Sequence, residues 1–193
     1  MTRLTLGVLL WSIVHLIPGL ARDFKNNMIS RYGEYPYKGV FTLLMMGSLY
    51  LIISGWSSLT PEAPLVLDML YTPPDWGGHV AALLILIGFI LFLAPYPPNN
   101  FKRLLRHPQL IGMICWGVGH LIAVGTARAL ILFGGLSVWA LIEVLALNRR
   151  DGIWSRPARV PLKKDIAMSL FSILAYLAFL YTHHLLFGGT ELI

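Results

Sequence analysis

Gln109-Leu-Ile-Gly-Met-Ile-Cys-Trp-Gly-Val-Gly-His120-Leu-Ile-Ala-Val124 follows directly on Arg106-His107-Pro108 and holds no Lys, Arg, Asp or Glu along its length. Such a run is too apolar to face water and, as a helix, crosses most of a hydrocarbon layer. One group breaks the pattern. His120 puts a titratable imidazole where lipid would surround it, which is costly unless a helix contact, a cofactor or a proton path uses it.

The rest of the chain has the same character. Of 193 residues, 56% are hydrophobic and 12% charged, where a soluble domain carries about 25% charge. The mean hydropathy is +0.69. These values describe one polytopic membrane domain spanning 1–193, with almost no soluble part. A single cysteine, Cys115, lies inside an apolar run, which excludes a disulfide framework and a cysteine-rich metal site. The net charge of +6 does not point to nucleic acid, because the cations are sorted by connection and lack interleaved aromatic residues.

Six stretches are long and apolar enough to read as spans: Leu4–Leu20, Tyr37–Trp56, Gly77–Ala94, Pro108–Val124, Ala129–Leu147 and Ile166–Phe187. The first has its cationic flank after it, at Arg22 and Lys25, and no small-x-small cleavage site, so it reads as a retained span. The odd connections carry Arg22, Lys25, Arg31 and Lys38; Lys102, Arg103 and Arg106; and Arg149, Arg150, Arg156, Arg159, Lys163 and Lys164. Only Arg3 and Arg128 remain for the other side, with Glu62, Asp68, Asp75 and Glu191. The positive-inside rule then gives an all-α bundle of six transmembrane helices with both termini outside. The outer connection Ser57 to Trp76 is punctuated by proline, with a short turn expected over Leu65–Leu70 and Trp56, Tyr71 and Trp76 at headgroup level. Pro95-Tyr-Pro-Pro98 and Ser155-Arg-Pro157 to Pro161 are expected to end helices at the cytoplasmic face.

Trp11-x3-His15-Leu-Ile, followed by Gly19-x-Ala21-Arg22, returns with one insertion as Trp116-x3-His120-Leu-Ile and Gly125-x-Ala127-Arg128. The echo is compatible with an inverted repeat of two consecutive three-helix halves, or with convergence at interfaces. At 1.5 Å per residue, His15 falls in the cytoplasmic half and His120 in the outer half, roughly 5–10 Å apart in depth.

The groups able to do chemistry sort by that depth. His15 shares the cytoplasmic half with Glu143, which either reaches the interface or pairs with a neighbouring cation, or else orients an imidazole or relays protons. His120 shares the outer half with His79, while His183 and His184 read as interfacial residues. Neutral imidazoles bind haem iron, zinc or copper, so His79 with His120 is one ligand pair. Trp11 and Trp116, one turn before the histidines, could stack on a macrocycle or serve as core. Gly112, Cys115, Gly119 and Ala123 form a small-residue stripe suited to helix packing or to a partner protein. No phosphate loop, carboxylate pair or exposed Ser-His-Asp set supports hydrolysis or phosphoryl transfer.

Arg106-His107-Pro108-Gln109-x2-Gly112-x3-Trp116-x3-His120-Leu, then Gly125, Leu132-Phe133-Gly134-Gly135, Trp139-Ala140 and Arg149-Arg150, resembles the NnrU family. So do Val14-His15-Leu-Ile-Pro18 and Gly33-Glu34-x2-Tyr37-Lys38-Gly39. The resemblance covers about residues 5–150, leaving an extra C-terminal span over 166–187. It implies a protein of the bacterial cytoplasmic membrane tied to nitrite and nitric oxide metabolism in denitrification, with a respiratory reductase as partner. Relatives include plant zeta-carotene isomerase, a b-type haem protein, and this implies haem b at His15 and His120 and a polyene substrate. Here Gly117 stands where that enzyme has a cysteine, and Trp139 near where it needs a further histidine. Arg106-His107-Pro108-x3-Gly112 is also similar to the cofactor motif of membrane S-adenosylmethionine methyltransferases. The later acidic residues of that pattern are replaced here by Arg149-Arg150-Asp151-Gly152. Assembly of a reductase is the non-enzymatic alternative.

Overall fold

A computed structural model describes residues 1–58 and 69–187, and every regular element among them is a helix. An isolated antiparallel bridge joins Met69 to Thr126. Most of the expected Leu65–Leu70 turn, with Glu62, Asp68 and Glu191, lies outside the described residues.

All six apolar stretches are helical, but they differ in length. Thr2–Leu20, Glu34–Ser57, Ala127–Asp151 and Leu162–His183 are long and apolar enough to cross a membrane; Gly77–Leu93 and Pro108–Ala123 are shorter. Their boundaries explain why. Pro73-Pro74 and Pro95 bracket the first of the short pair, and the second starts at Pro108 and stops just before Gly125. Gly125 is pressed against the Tyr71 carbonyl, and its own carbonyl accepts from Leu70 N at 2.7 Å. A side chain at that position would collide with backbone.

The chain divides into two compact units, Met1–Thr72 with Val124–Gly152 and Pro73–Ala123 with Ile153–Ile193. The first contains α1 (Thr2–Leu20), α2 (Arg22–Tyr32), α3 (Glu34–Ser57), the short α7 (Ala127–Ala129), a π-helical turn over Leu130–Gly134, and α8 (Gly135–Asp151). The second contains α4 (Gly77–Leu93), the one-turn α5 (Phe101–Leu104), α6 (Pro108–Ala123) and α9 (Leu162–Phe187). Consecutive halves therefore do not form: the fifth apolar stretch packs with the first two, and the third and fourth with the last. The echo at Trp11 and Trp116 puts one copy in each unit.

In the first unit α1 is the central helix, packed on α3 and α8. Gly55 meets the Leu4 backbone and Gly7 meets Ile52, so α1 and α3 approach closely and Leu4 is fully buried. α2 buries nothing; its cations ride on a surface helix with Asp23 in the first turn and Arg31 in the last, the order the helix dipole favours. Arg128 lies over the Trp56 ring at 5.0 Å, and Trp56 meets Phe133 edge-on. α8 ends at Gly152, whose φ of 63° suits glycine. Pro157 and Pro161 come later, so they shape the approach to α9 and do not terminate α8.

In the second unit α4 is central, flanked by α6 and α9. A Cβ on Gly112 would lie 2.7 Å from the Gly88 carbonyl oxygen, and one on Gly119 would lie 3.2 Å from that of Ala81. The small-residue stripe of α6 is thus filled by α4 and is no surface for a reductase. Asn100 clasps the start of α9: its backbone N–H and its amide each donate to the Asp165 carboxylate at 2.6 Å, and the amide also reaches the Val160 carbonyl.

Large apolar side chains line the outer faces at helical spacing. Leu43, Met46, Tyr50 and Ile53 on α3, and Ile166, Leu170, Leu174 and Leu177 on α9, are all exposed. Helices apolar on both faces are what a bilayer solvates, and the surface is consistent with lipid contact.

Candidate functional site

The echoed Trp-x3-His sequence builds the same local structure twice. On α1, His15 Nδ1 lies 3.0 Å from the Trp11 carbonyl; on α6, His120 Nδ1 lies 2.8 Å from the Trp116 carbonyl. A carbonyl can only accept, so Nδ1 carries the proton and donates in both cases. The neutral ring then keeps its lone pair on Nε2, the tautomer that metal-binding histidines adopt when a carbonyl holds the other nitrogen. Each tryptophan lies against its own histidine, with ring centres 4.3 Å apart at His15 and 4.9 Å at His120.

Around His15 the first unit forms an aromatic cage. Trp139 of α8 approaches at 5.1 Å and Phe41 of α3 at 5.6 Å, both edge-on. Trp11, His15 and Gly19 share one face of α1, and Trp139, Glu143 and Ala146 share the facing side of α8. This register sets the Glu143 carboxyl against Gly19. Glu143 is only 7% exposed and its Oε2 has no hydrogen-bond partner. The charge that acts on it is the neighbouring Arg150 guanidinium, the cation expected beside it, and it does not orient His15, whose Nδ1 is held by the Trp11 carbonyl. The indole nitrogens of Trp11 and Trp139 are also buried without acceptors. Three unsatisfied polar atoms in one aromatic cluster are uncommon in a settled core.

In the second unit the ring that meets His120 is His183 of α9, with centres 6.2 Å apart and planes inclined by 34°. Phe179, one turn before His183, touches its ring edge-on and also meets Phe89 of α4. Tyr176 completes this wall, its hydroxyl donating to the Ala82 carbonyl at 3.2 Å. α6 and α9 each pack mainly on α4, and this shared neighbour brings the two imidazoles together. His79 is exposed in the first turn of α4. Arg106 and His107 lie at the entry to α6, where the His107 carbonyl accepts from Ile111 N at 3.2 Å.

The sequence reading set His183 aside as an interfacial residue. A signal for it was available: His120 is three residues from the end of α6 and His183 four from the end of α9, and the charge pattern sends both ends to the same side. Among the described residues no three of His, Cys, Asp and Glu gather as a metal-ion cage. Among the described residues, His120 and His183 are the two imidazoles whose rings meet. His15 belongs to the first unit, and His120 and His183 to the second.

Neither a curated protein nor a solved structure matches the chain. A family model described as NnrU protein matches residues 3–191, beyond the 5–150 stretch that carries the motifs and taking in the whole of the C-terminal helix. With nearly the whole sequence matched across both units, the chain belongs to the NnrU family.

Proposed function

We propose that this NnrU-family chain is a six-span protein of the bacterial cytoplasmic membrane, both ends outside, that holds b-type haem between membrane histidines and serves nitrite and nitric oxide reduction. The observation that carries the haem reading is the His120–His183 pair. Two imidazoles on one metal, each at a metal–nitrogen distance of about 2 Å, stand with ring centres roughly 6 Å apart. The 6.2 Å separation fits that. The nitrogen-oxide context comes from the family resemblance and not from geometry.

On this reading α4 and α6, at 17 and 16 residues, rise about 26 and 24 Å at 1.5 Å per residue, short of the roughly 30 Å core. They cross as a pair whose tight glycine contact leaves the flanking turns to complete the span. The Trp116 carbonyl fixes the His120 tautomer, Phe179 holds the His183 ring, and Phe89 and Tyr176 keep water from the α9 side. Haem bound there would supply one-electron transfer, its potential set by two imidazoles and dry surroundings.

Absorption spectra of the purified protein, made with ample haem and recorded oxidised and reduced, test this. The parent should show a Soret band and a sharp reduced α-band. His120→Ala and His183→Ala should each lose the six-coordinate spectrum, and His79→Ala should keep it. A colourless parent, or an unchanged spectrum in both variants, overturns the proposal. His15→Ala addresses the ligand pair implied by the resemblance; loss of the spectrum there alone would move the haem to the first unit.

A further inference from the structure

A second place in the first unit has the chemistry of a binding site and no part in the haem reading. Where α1 gives way to α2, a cleft of about 270 Å³ is lined by Pro18, Arg22, Lys25, Asn26, Arg150 and Asp151. Two cations one turn apart on α2, Arg22 and Lys25, thus meet the distant Arg150 at one hollow, against one carboxylate. That carboxylate is already engaged: Asp151 takes Arg150 Nε at 2.6 Å and Nη2 at 3.0 Å. Arg150 is braced further by Nη1 donating to the Pro18 carbonyl at 3.2 Å, which ties the end of α8 to the end of α1. Asp151 and Pro18 thus hold Arg150 at the hollow, while Arg22 and Lys25 bring charge that no carboxylate in the lining is left to neutralise. Asn26 adds an amide donor beside them.

We infer that this cleft binds a phosphate group, and that its natural source is the headgroup of an anionic phospholipid. The end of a membrane-spanning helix lies at headgroup depth, and basic hollows between helices on the cytoplasmic side are where such headgroups bind. A bound phosphate would sit between α1–α2 and the end of α8, adding to the link that Arg150 makes with Pro18 at that end of the helices. Free inorganic phosphate offers the same chemistry and is the other source to distinguish.

The test uses the full chain in vesicles of equal parts phosphatidylcholine and phosphatidylglycerol, extracted gently and weighed by native mass spectrometry for retained lipid. Arg22→Gln with Lys25→Gln removes two cations without touching the Arg150 brace. Arg159→Gln with Lys163→Gln removes two exposed cations elsewhere and controls for net charge. Each cation near the surface contributes roughly fivefold in affinity, so the first pair should lower phosphatidylglycerol retention on the order of twentyfold. The control pair should leave it within about twofold of the parent. A second arm measures the melting midpoint in detergent with inorganic phosphate or chloride at equal ionic strength. Protection by phosphate that the first pair abolishes, without selective lipid retention, supports the phosphate site and assigns it to the free ion. Equal effects of the two pairs on lipid, or no effect of either, with no phosphate-specific protection, overturns the inference.

Discussion

Glu143 shows most plainly how far a residue's type can be read without its neighbours. One acidic side chain in an apolar span suggests escape to the interface, pairing with a neighbouring cation, or partnership with an imidazole. The structure buries the carboxyl, because the small residues Gly19 and Ala146 let α1 and α8 close around it, and leaves it the charge of Arg150 but no hydrogen bond to Oε2. A buried acceptor without a donor is destabilising, by about 1–3 kcal/mol. Glu143→Met, which fills similar volume, should therefore raise the melting midpoint by a few degrees. A midpoint below the parent's would show that the carboxyl has a stabilising partner. The histidines behave differently. Their tautomers follow from the carbonyl one turn earlier, a purely local hydrogen bond, so both copies of Trp-x3-His have the same arrangement whatever surrounds them. What lies opposite each ring is not local: an aromatic cage for His15 and a second imidazole for His120.

At the scale of elements, glycine placement decides which helices meet. α6 carries Gly112 and Gly119 on one side, and α4 presents Gly88 and Ala81 to them, so the two backbones nearly touch. Gly112→Val would drive side-chain carbons into the Gly88 carbonyl and the Phe92 amide. It should destabilise the second unit by about 2 kcal/mol, lowering the midpoint by roughly 4–8 °C. Thermal melts of the purified variant check this, and an unshifted midpoint would mean the contact is looser than described. Helix ends obey local rules as well, though not always the expected ones. Gly152 with its positive φ stops α8 five residues before the first proline of the following segment. The π-helical turn at Leu130–Gly134 overlaps the Leu132-Phe133-Gly134-Gly135 motif inside the fifth apolar stretch.

At the scale of the whole molecule, the proposed six crossings fix the side on which each connection lies. Six crossings put the connection after α4 on the cytoplasmic side; four crossings, with α4 and α6 packed together outside the bilayer, would leave it on the outer side. Leu104, exposed beside Lys102 and Arg103, reports on this directly. In a Cys115→Ala background, Leu104→Cys should react with a membrane-impermeant maleimide only from the cytoplasmic side of oriented vesicles, and Asp75→Cys only from outside. Labelling of both from one side would rule out six crossings.

Composition and periodicity were enough to determine that the chain is helical and apolar beyond what water supports, and the spacing of cations was enough to propose an orientation. Those properties are additive over residues, so they survive without coordinates. The motifs around His15, His120 and Trp139 likewise sufficed for the family. Which helices associate was not additive. It depended on where small residues on one helix met small residues on another, and so the fifth stretch joined the first two and the consecutive halves suggested by the echo did not form. The same pairing of distant surfaces brought His183 to His120 and Arg150 to Pro18, contacts between residues too far apart in sequence for any local pattern to record.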